Sequence, residues 1–571
     1  MYSRCNNKKN KTKFNENHLI IQRALSYCDI YDDFNTVDIN DLLSYVPTSI
    51  VIYFISKKLQ KVQFQSSNSQ LQRTLIYEIL EHISNKTTKE RVWKFLQNNN
   101  ECLLYENMGC FLLYRLLLKN YVPEEKGETY KDIRECDYEY IFKAILYCNQ
   151  IWTNRQTPTN LNASLPLEDI TLLLDCYMIE FKFDKDFRTQ LYKSTLFFEY
   201  LESSDYATYV KKLCKKYNVK SWQDYLLSIF DCYTTIILNK KTHIIEQEQL
   251  PSFLLQFKIN VDCINSDNAL LKDGPDYLRN KFIYPLTDNK FIVLNSNLLV
   301  DKLYQGLRFD LYQILREDSA FPSFPDYLSY MGKNFSEERL FYNLMEKTFN
   351  PNDYDKCINE KELSEISVVS PPDYYIRKND SLFLFEYKDA MIADDKKYSK
   401  DINKIKEEIK EKICFDNGKK RKGFGQLLNF IDMIFKNNHI TDIDNGIVSI
   451  SRVYPIVIVT DSVFSSLGVN KVIIQEYDNI LKKYKEIAKK NVFISIPIII
   501  HIDTLITLCK RLYCRELNFE NLIWKYITGN YMQIQSFDSF VRTYYPFGNN
   551  QNHENTMYVL SGFMKSLKNV L

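Results

Sequence analysis

The chain has 571 residues, of which 45% are hydrophobic, and carries 74 Lys+Arg against 72 Asp+Glu. That length exceeds one ordinary core, so roughly two to four domains are expected in a globular protein of ordinary composition. A charge this close to balance excludes a whole-molecule electrostatic field, so any nucleic-acid surface has to be a local patch.

The 14 cysteines form no CxxC pair, and the six histidines are too widely spaced to complete a zinc set. They read as reduced thiols of a cytoplasmic protein. Residues 1–16 form a basic, polar tail without the apolar stretch of a signal peptide. The most apolar early run, Ile50 to Ile55, falls far short of the ~20 residues a membrane-spanning helix needs, so no membrane partner is expected.

Residues 17–325 are expected to form a mainly α-helical region. Leu71, Leu75, Ile79 and Ile83 mark one stripe at helical spacing. The region reads as a regulatory or partner-recognition module, an oligomerisation surface, or a plain helical scaffold. Within it, Phe282-Ile283-Tyr284 and Phe291-Ile292-Val293 flank Thr287-Asp288-Asn289-Lys290 and predict a hairpin. A helix is predicted from Leu298 to Leu315. Pro322 and Pro325 then mark a domain boundary.

Residues 326–525 alternate between helices and strands. An amphipathic helix is expected from Ser336 to Phe349, and two short strands around Asp373 and Glu386. A lysine-rich helix and a helix from Phe424 follow. Continuous apolar runs at Tyr454–Val459 and Val492–Ile502 read as buried strands. Such strands between helices indicate an α/β domain whose sheet is covered on both faces. Residues 526–571 are a C-terminal extension, and His501 and Asp503 read as ordinary strand-end residues.

One stretch carries chemistry. Ser370-Pro371-Pro372-Asp373 leads into a hairpin through Arg377-Lys378-Asn379-Asp380, which returns as Leu382-Phe383-Leu384-Phe385-Glu386-Tyr387-Lys388. Strand alternation puts Glu386 and Lys388 on one face, and the hairpin brings Asp373 beside them. Adjacent carboxylates repel unless a cation sits between them, and Mg²⁺ or Mn²⁺ bound through oxygen fits that place. Lys388 would orient a water or stabilise charge on a phosphate. The competing reading is a rim salt bridge between Glu386 and Lys388, with Asp373 a turn residue.

Three further features bear on the choice. Glu337 or Glu338 would project toward the cation from the first turn of the helix opening at Ser336, where an acidic residue is also favoured by the helix dipole. Gln426 opens an apolar helix 38 residues past Lys388. Residues 396–422 hold 11 Lys/Arg against five Asp/Glu, ending in Lys419, Lys420, Arg421 and Lys422, a patch suited to a phosphate backbone or to plain solvation.

The order helix-Glu, Pro372-Asp373, Glu386-Tyr387-Lys388 and Gln426 resembles the PD-(D/E)XK, restriction-endonuclease-like superfamily of nucleases. The resemblance covers roughly residues 330–505 and implies a mixed sheet flanked by helices. It implies that Asp373 and Glu386 are metal ligands, Lys388 the catalytic lysine and Glu338 (or Glu337) the helix glutamate. Gln426 matches a QxxxY element in which Phe430 replaces the tyrosine. Mg²⁺- or Mn²⁺-dependent cleavage of DNA is the implied activity. With its large helical N-terminal half, the layout resembles bacterial restriction and anti-phage defence effectors. The alternatives are an RNase, or a nucleic-acid-binding or scaffold protein with the same fold and no turnover.

Overall fold

A computed structural model describes residues 23–62, 68–156, 185–238, 244–266, 276–365, 370–397, 401–437, 444–484, 492–529, 535–545 and 552–568, with Asp169, Leu172, Ser399 and Ile487 between them. The tail at 1–16 lies outside these residues. The chain divides into two compact units, Met1–Thr153 and Asn154–Leu571.

Among its described residues the first unit is helical, apart from a short parallel pairing of Arg23–Ala24 with Cys102–Leu103. The stripe expected at 71–83 lies on the helix Ser69–Glu81, where Leu75, Ile76 and Ile79 are buried and Leu71 is half-buried. Ile83 is buried just past the helix end. Gln72 is buried on the same helix, with both its amide oxygen and its amide nitrogen hydrogen-bonded. It donates to the Tyr105 carbonyl and accepts the backbone N–H groups of Leu104 and Tyr105.

The second unit is mixed α/β. Helix α1 (Phe187–Glu202) precedes a three-stranded antiparallel sheet, in which β3 (Lys290–Val293) lies between β1 (Ile244–Glu246) and β2 (Ile283–Thr287). The hairpin expected at 281–293 is therefore present, turning at Asp288-Asn289. The helix expected from 298 to 315 is two helices, Ser296–Asp301 and α2 (Gln305–Glu317). The break at 302–304 lets the Lys302 and Leu303 carbonyls accept Tyr225 Oη and Ser194 Oγ.

The proline pair Pro322/Pro325 lies inside this unit. Ser323 accepts the Asp326 N–H as N-cap and Pro325 occupies the first turn of a helix. That helix runs on without a break. It spans Phe324–Met331, a π-helical stretch Gly332–Phe341 and then Tyr342–Thr348, together α3. The helix start expected at Ser336 is thus corrected, because the Gly332 and Ser336 positions lack a capping break and the chain is helical on both sides of them.

The main sheet follows. Strands β4 (Lys356–Asn359), β5 (Tyr374–Lys378) and β6 (Ser381–Lys388) form an antiparallel meander, with helix α4 (Glu360–Glu365) between β4 and β5. The β5–β6 turn places Asn379 at φ 53°, a region asparagine tolerates. Helix α5 (Ile402–Ile413), a small hairpin of β7 (Cys414–Asp416) and β8 (Arg421–Gly423), and helix α6 (Phe424–Asn437) come next. Strand β9 (Arg452–Val459) then pairs parallel to β6. After helix α7 (Val469–Leu481), the run expected as one strand at 492–502 is two pieces, β10 (Phe493–Ile494) and β11 (Ile498–His501), both parallel to β9. They are separated by the Ser495-Ile496-Pro497 segment, where proline removes a ladder donor.

Both faces of this sheet are covered. Leu382, Leu384, Val453 and Val457 join a core with Ile405, Ile409, Leu427 and Ile473 from α5, α6 and α7. On the opposite face Phe383 and Phe385 pack on Phe519 of α9 (Phe519–Thr528), and Phe349 packs there from the end of α3. Among the described residues, no helix is long and apolar enough to cross a membrane.

His501 and Asp503 are not plain strand-end residues. The His501 ring accepts the Asp503 N–H as cap of helix α8 (Ile502–Tyr513). Asp503 is paired with the buried Lys193 of α1 at 2.7 Å and accepts from Gln190 at 2.7 Å. Burial would raise this carboxyl, but Lys193 outweighs it and holds the group at about 2, below its ordinary 3.8. Stability from such a depressed acid is complete above the ordinary value and lost as pH falls through the folded one. Asp503→Asn, which strands Lys193, is therefore expected to cost roughly 3–5 kcal/mol at neutral pH. The gap to wild type should narrow as pH drops from 3.8 toward about 2, measured by urea unfolding across that range.

Candidate functional site

Strand register assembles the site. Tyr374 pairs with Phe385 across the β5–β6 hairpin, so the preceding Asp373 stands opposite Glu386. The β4–β5 ladder also continues one step, with the Glu360 N–H donating to the Asp373 carbonyl at 3.0 Å. Glu360 is held at the start of α4 by a reciprocal cap between Asn359 and Glu362. Three carboxylates are thereby brought to the C-terminal end of β6.

A fourth comes from α3. Across the π-helical stretch the wider turn changes which side chains face inward. Ser336 is buried against Asp389, and Glu337 lines a pocket of about 440 Å³ with Glu360, Asp373, Glu386, Lys388 and Gln426. Glu338 is not among its lining residues and pairs with Lys361 at 3.1 Å. Of the two glutamates left open by the sequence, Glu337 stands at the site.

The hydrogen bonding is specific. Asp373 Oδ2 accepts the Tyr387 N–H at 2.5 Å, and Glu386 Oε1 accepts from Lys388 Nζ at 2.5 Å. Glu386 is 1% exposed and Lys388 is partly exposed at the pocket, so the pair joins a buried carboxylate to a pocket lysine; among the described residues the second oxygen, Oε2, is buried without a hydrogen-bond partner. Tyr342 Oη donates to Glu337 at 3.1 Å. Gln426 Nε2 donates to the Pro371 carbonyl at 3.2 Å, which fixes the segment leading into Asp373. Phe430 is buried in the core beneath.

Electrostatics follow from crowding and burial. Burial, and next the Glu386 charge, hold Asp373 well above the usual carboxylate range. Burial lifts Glu386 to about 7 despite Lys388. Glu337 is raised by burial and by Glu360. Burial would lower Lys388, but Glu386 and Asp373 outweigh it and keep the ammonium charged.

Lys419, Lys420, Arg421 and Lys422 lie apart from the pocket, on the β7–β8 hairpin. Lys419 and Lys420 are exposed at its turn, Arg421 pairs with Asp416 and Lys422 with Glu411. The lysines of α5 are matched as well: Lys406 meets Asp169, Lys410 meets Glu476 and Lys412 meets Glu408. Asp169 and Glu476 are the two of these acids that come from other segments, so they offset only part of the charge excess read from the sequence. The hairpin base has no spare room. A Cβ on Gly423 or Gly425 would fall 2.0 Å from the Ile413 carbonyl oxygen or 2.2 Å from that of Phe415, so Gln426 is fixed at the mouth of α6.

Sequence reading missed two things. Glu360 follows a short strand whose pairing cannot be read from Lys356–Asn359 alone; the Asn359/Glu362 cap was its only local signal. The other is Asp389, directly after Lys388, which accepts from Arg308 of α2 at 3.0 Å, Ser336 at 2.7 Å and Thr460 at 2.8 Å. Burial would raise its carboxyl, but Arg308 leads the groups that hold it low. Arg308→Met removes that cation and is expected to cost roughly 3–5 kcal/mol. Adding Asp389→Asn should recover a large part, as read from urea unfolding of both proteins.

No protein-family model, no curated protein and no solved structure matches the chain.

Proposed function

We propose that the chain is a metal-dependent phosphodiesterase that cleaves DNA, with a PD-(D/E)XK-type site and a restriction-endonuclease-like sheet around it. The observation that carries this reading is the convergence of Asp373, Glu386, Lys388 and Glu337 at one strand end, with a buried carboxylate oxygen of Glu386 left without a partner among the described residues.

The residues fit a divalent cation. Every donor is a carboxylate oxygen, which suits Mg²⁺ or Mn²⁺, and such an ion offsets both the burial and, after it, the mutual repulsion that raise Asp373 and Glu337. Asp373, Glu386 and Glu337 would hold it. When bound, the cation screens charge developing on the phosphate and acidifies water. The chain's own groups do the rest. Lys388, kept charged and pinned by Glu386, donates to a non-bridging phosphate oxygen. It stabilises the charge that grows there as a water oxygen bonds to phosphorus, the leaving P–O bond breaks and a solvent proton passes to the leaving oxygen. Gln426 keeps the Pro371–Asp373 segment in place.

The first compact unit, Met1–Thr153, suits a regulatory or partner-binding role, since a host needs a DNase restrained until it is triggered. That is the logic of a restriction or anti-phage effector.

Purified full-length protein should cut supercoiled, linear or single-stranded DNA with Mg²⁺ or Mn²⁺ and not with EDTA. Lys388→Ala and Asp373→Ala should each lower the rate by about 100-fold or more while staying folded. Cleavage of RNA alone would change the substrate class. Cutting that survives both substitutions would place the chemistry elsewhere, and folded, cation-loaded protein that cuts nothing would favour a binding or scaffold role.

A further inference from the structure

The pocket has two facing walls. Asp373, Glu386 and Lys388 line it from the strand end, and Ser329, Lys333 and Glu337 line it from α3. Residues four apart share one side of a helix, so these last three stand in a row at successive turns. Three cations near the site are committed to acids: Lys388 to Glu386, Arg308 to Asp389 and Lys361 to Glu338. Lys333 differs. It is exposed, lines the pocket, and among the described residues forms no hydrogen bond or ion pair. Glu337, one turn on, is its ordinary helix partner, yet that carboxylate accepts from Tyr342 and feels Lys333 only through space.

We propose that Lys333 is a substrate-binding residue, whose ammonium holds the phosphate beside the one being cut and so makes the pocket a seat for a polynucleotide strand. The proposal rests on the nuclease reading of this site. Lys388 is pinned at the strand end for the reacting phosphate, whereas Lys333 stands on the helix wall with its charge on a flexible four-carbon stem. One helical turn is about 5.4 Å, and successive phosphates of a strand advance about 3.4 Å along its axis. A lysine one turn from Glu337 is therefore spaced for a neighbouring phosphate. A mobile point charge suits this contact, because backbone phosphates position a strand and carry no sequence to be read. The plain alternative has Lys333 offset the pocket's carboxylates and touch no substrate.

Binding of fluorescein-labelled single-stranded DNA by the full chain in Mg²⁺, read by anisotropy across a salt series, separates these. Lys388→Ala abolishes cutting and serves as the common background. Adding Lys333→Ala should weaken binding by about 10-fold at ~50 mM salt and flatten the slope of log affinity against log salt by about 0.7, the value for one phosphate contact on a single strand. Lys333→Arg should restore both. In proteins that keep Lys388, Lys333→Ala should raise KM and leave kcat within about 2-fold. Unchanged affinity and slope, or a fall in kcat with KM unchanged, overturns the proposal and leaves the nuclease reading intact. Wild type that cuts no nucleic acid overturns both; if RNA alone is cut, labelled RNA replaces the DNA in the same series.

Discussion

The carboxylate of Asp389 is the point on which the site geometry depends. It sits one residue past Lys388, and it accepts from Ser336, one residue before Glu337. A single buried group therefore sets the spacing between the strand that carries the lysine and the helix that carries the glutamate. Arg308 balances its charge from α2, and Thr460 ties in the end of β9. Buried ion pairs contribute little net stability compared with apolar packing, since both partners lose their hydration. What this one supplies is position. Three elements distant in sequence cannot slide relative to β6 without unpairing a charge whose side chain is 7% exposed.

Around that fixed point the fold keeps groups that repel one another. Two carboxylates 4 Å apart oppose each other by about 4 kcal/mol at an effective dielectric of 20. Three of those at this strand end, Asp373, Glu337 and Glu386, have carboxyls displaced upward, by burial first and by neighbouring carboxylates after it. The surrounding structure tolerates this because the ladders on either side leave no alternative. Asp373 and Glu360 are joined through the backbone, and Glu386 is in the middle of a sheet flanked by β5 and β9. Local rules of stability are broken where charge is concentrated, which is the pattern of a functional site.

The parts legible in the sequence were those set by short-range periodicity. Two-residue alternation was enough to place Glu386 beside Lys388, and the Asn379-Asp380 turn returned the strand to Asp373. Gln426 was found because it opens a strongly amphipathic helix. Helix phase was harder. Reading α3 from Ser336 instead of Phe324 hid the π-helical stretch, and with it the reason Glu337 faces inward while Glu338 turns to Lys361. Partners distant in sequence were invisible altogether. Arg308 is 81 residues from Asp389, and Lys406 finds Asp169 across 237 residues. How far the basic patch is offset is visible only once Asp169 and Glu476 are located in space.

The β7–β8 hairpin joins two opposite kinds of constraint within a few residues. At its base, Gly423 and Gly425 are pressed against the Ile413 and Phe415 carbonyls and admit no side chain. At its tip, Gly418 has open space around it, and Lys419 and Lys420 are exposed. Changes of length or charge at the tip therefore stop at the glycines and never reach Gln426. The hairpin acts as an outboard arm on a rigid mount: whatever surface it touches can be altered by mutation while the acidic strand end behind it stays unchanged.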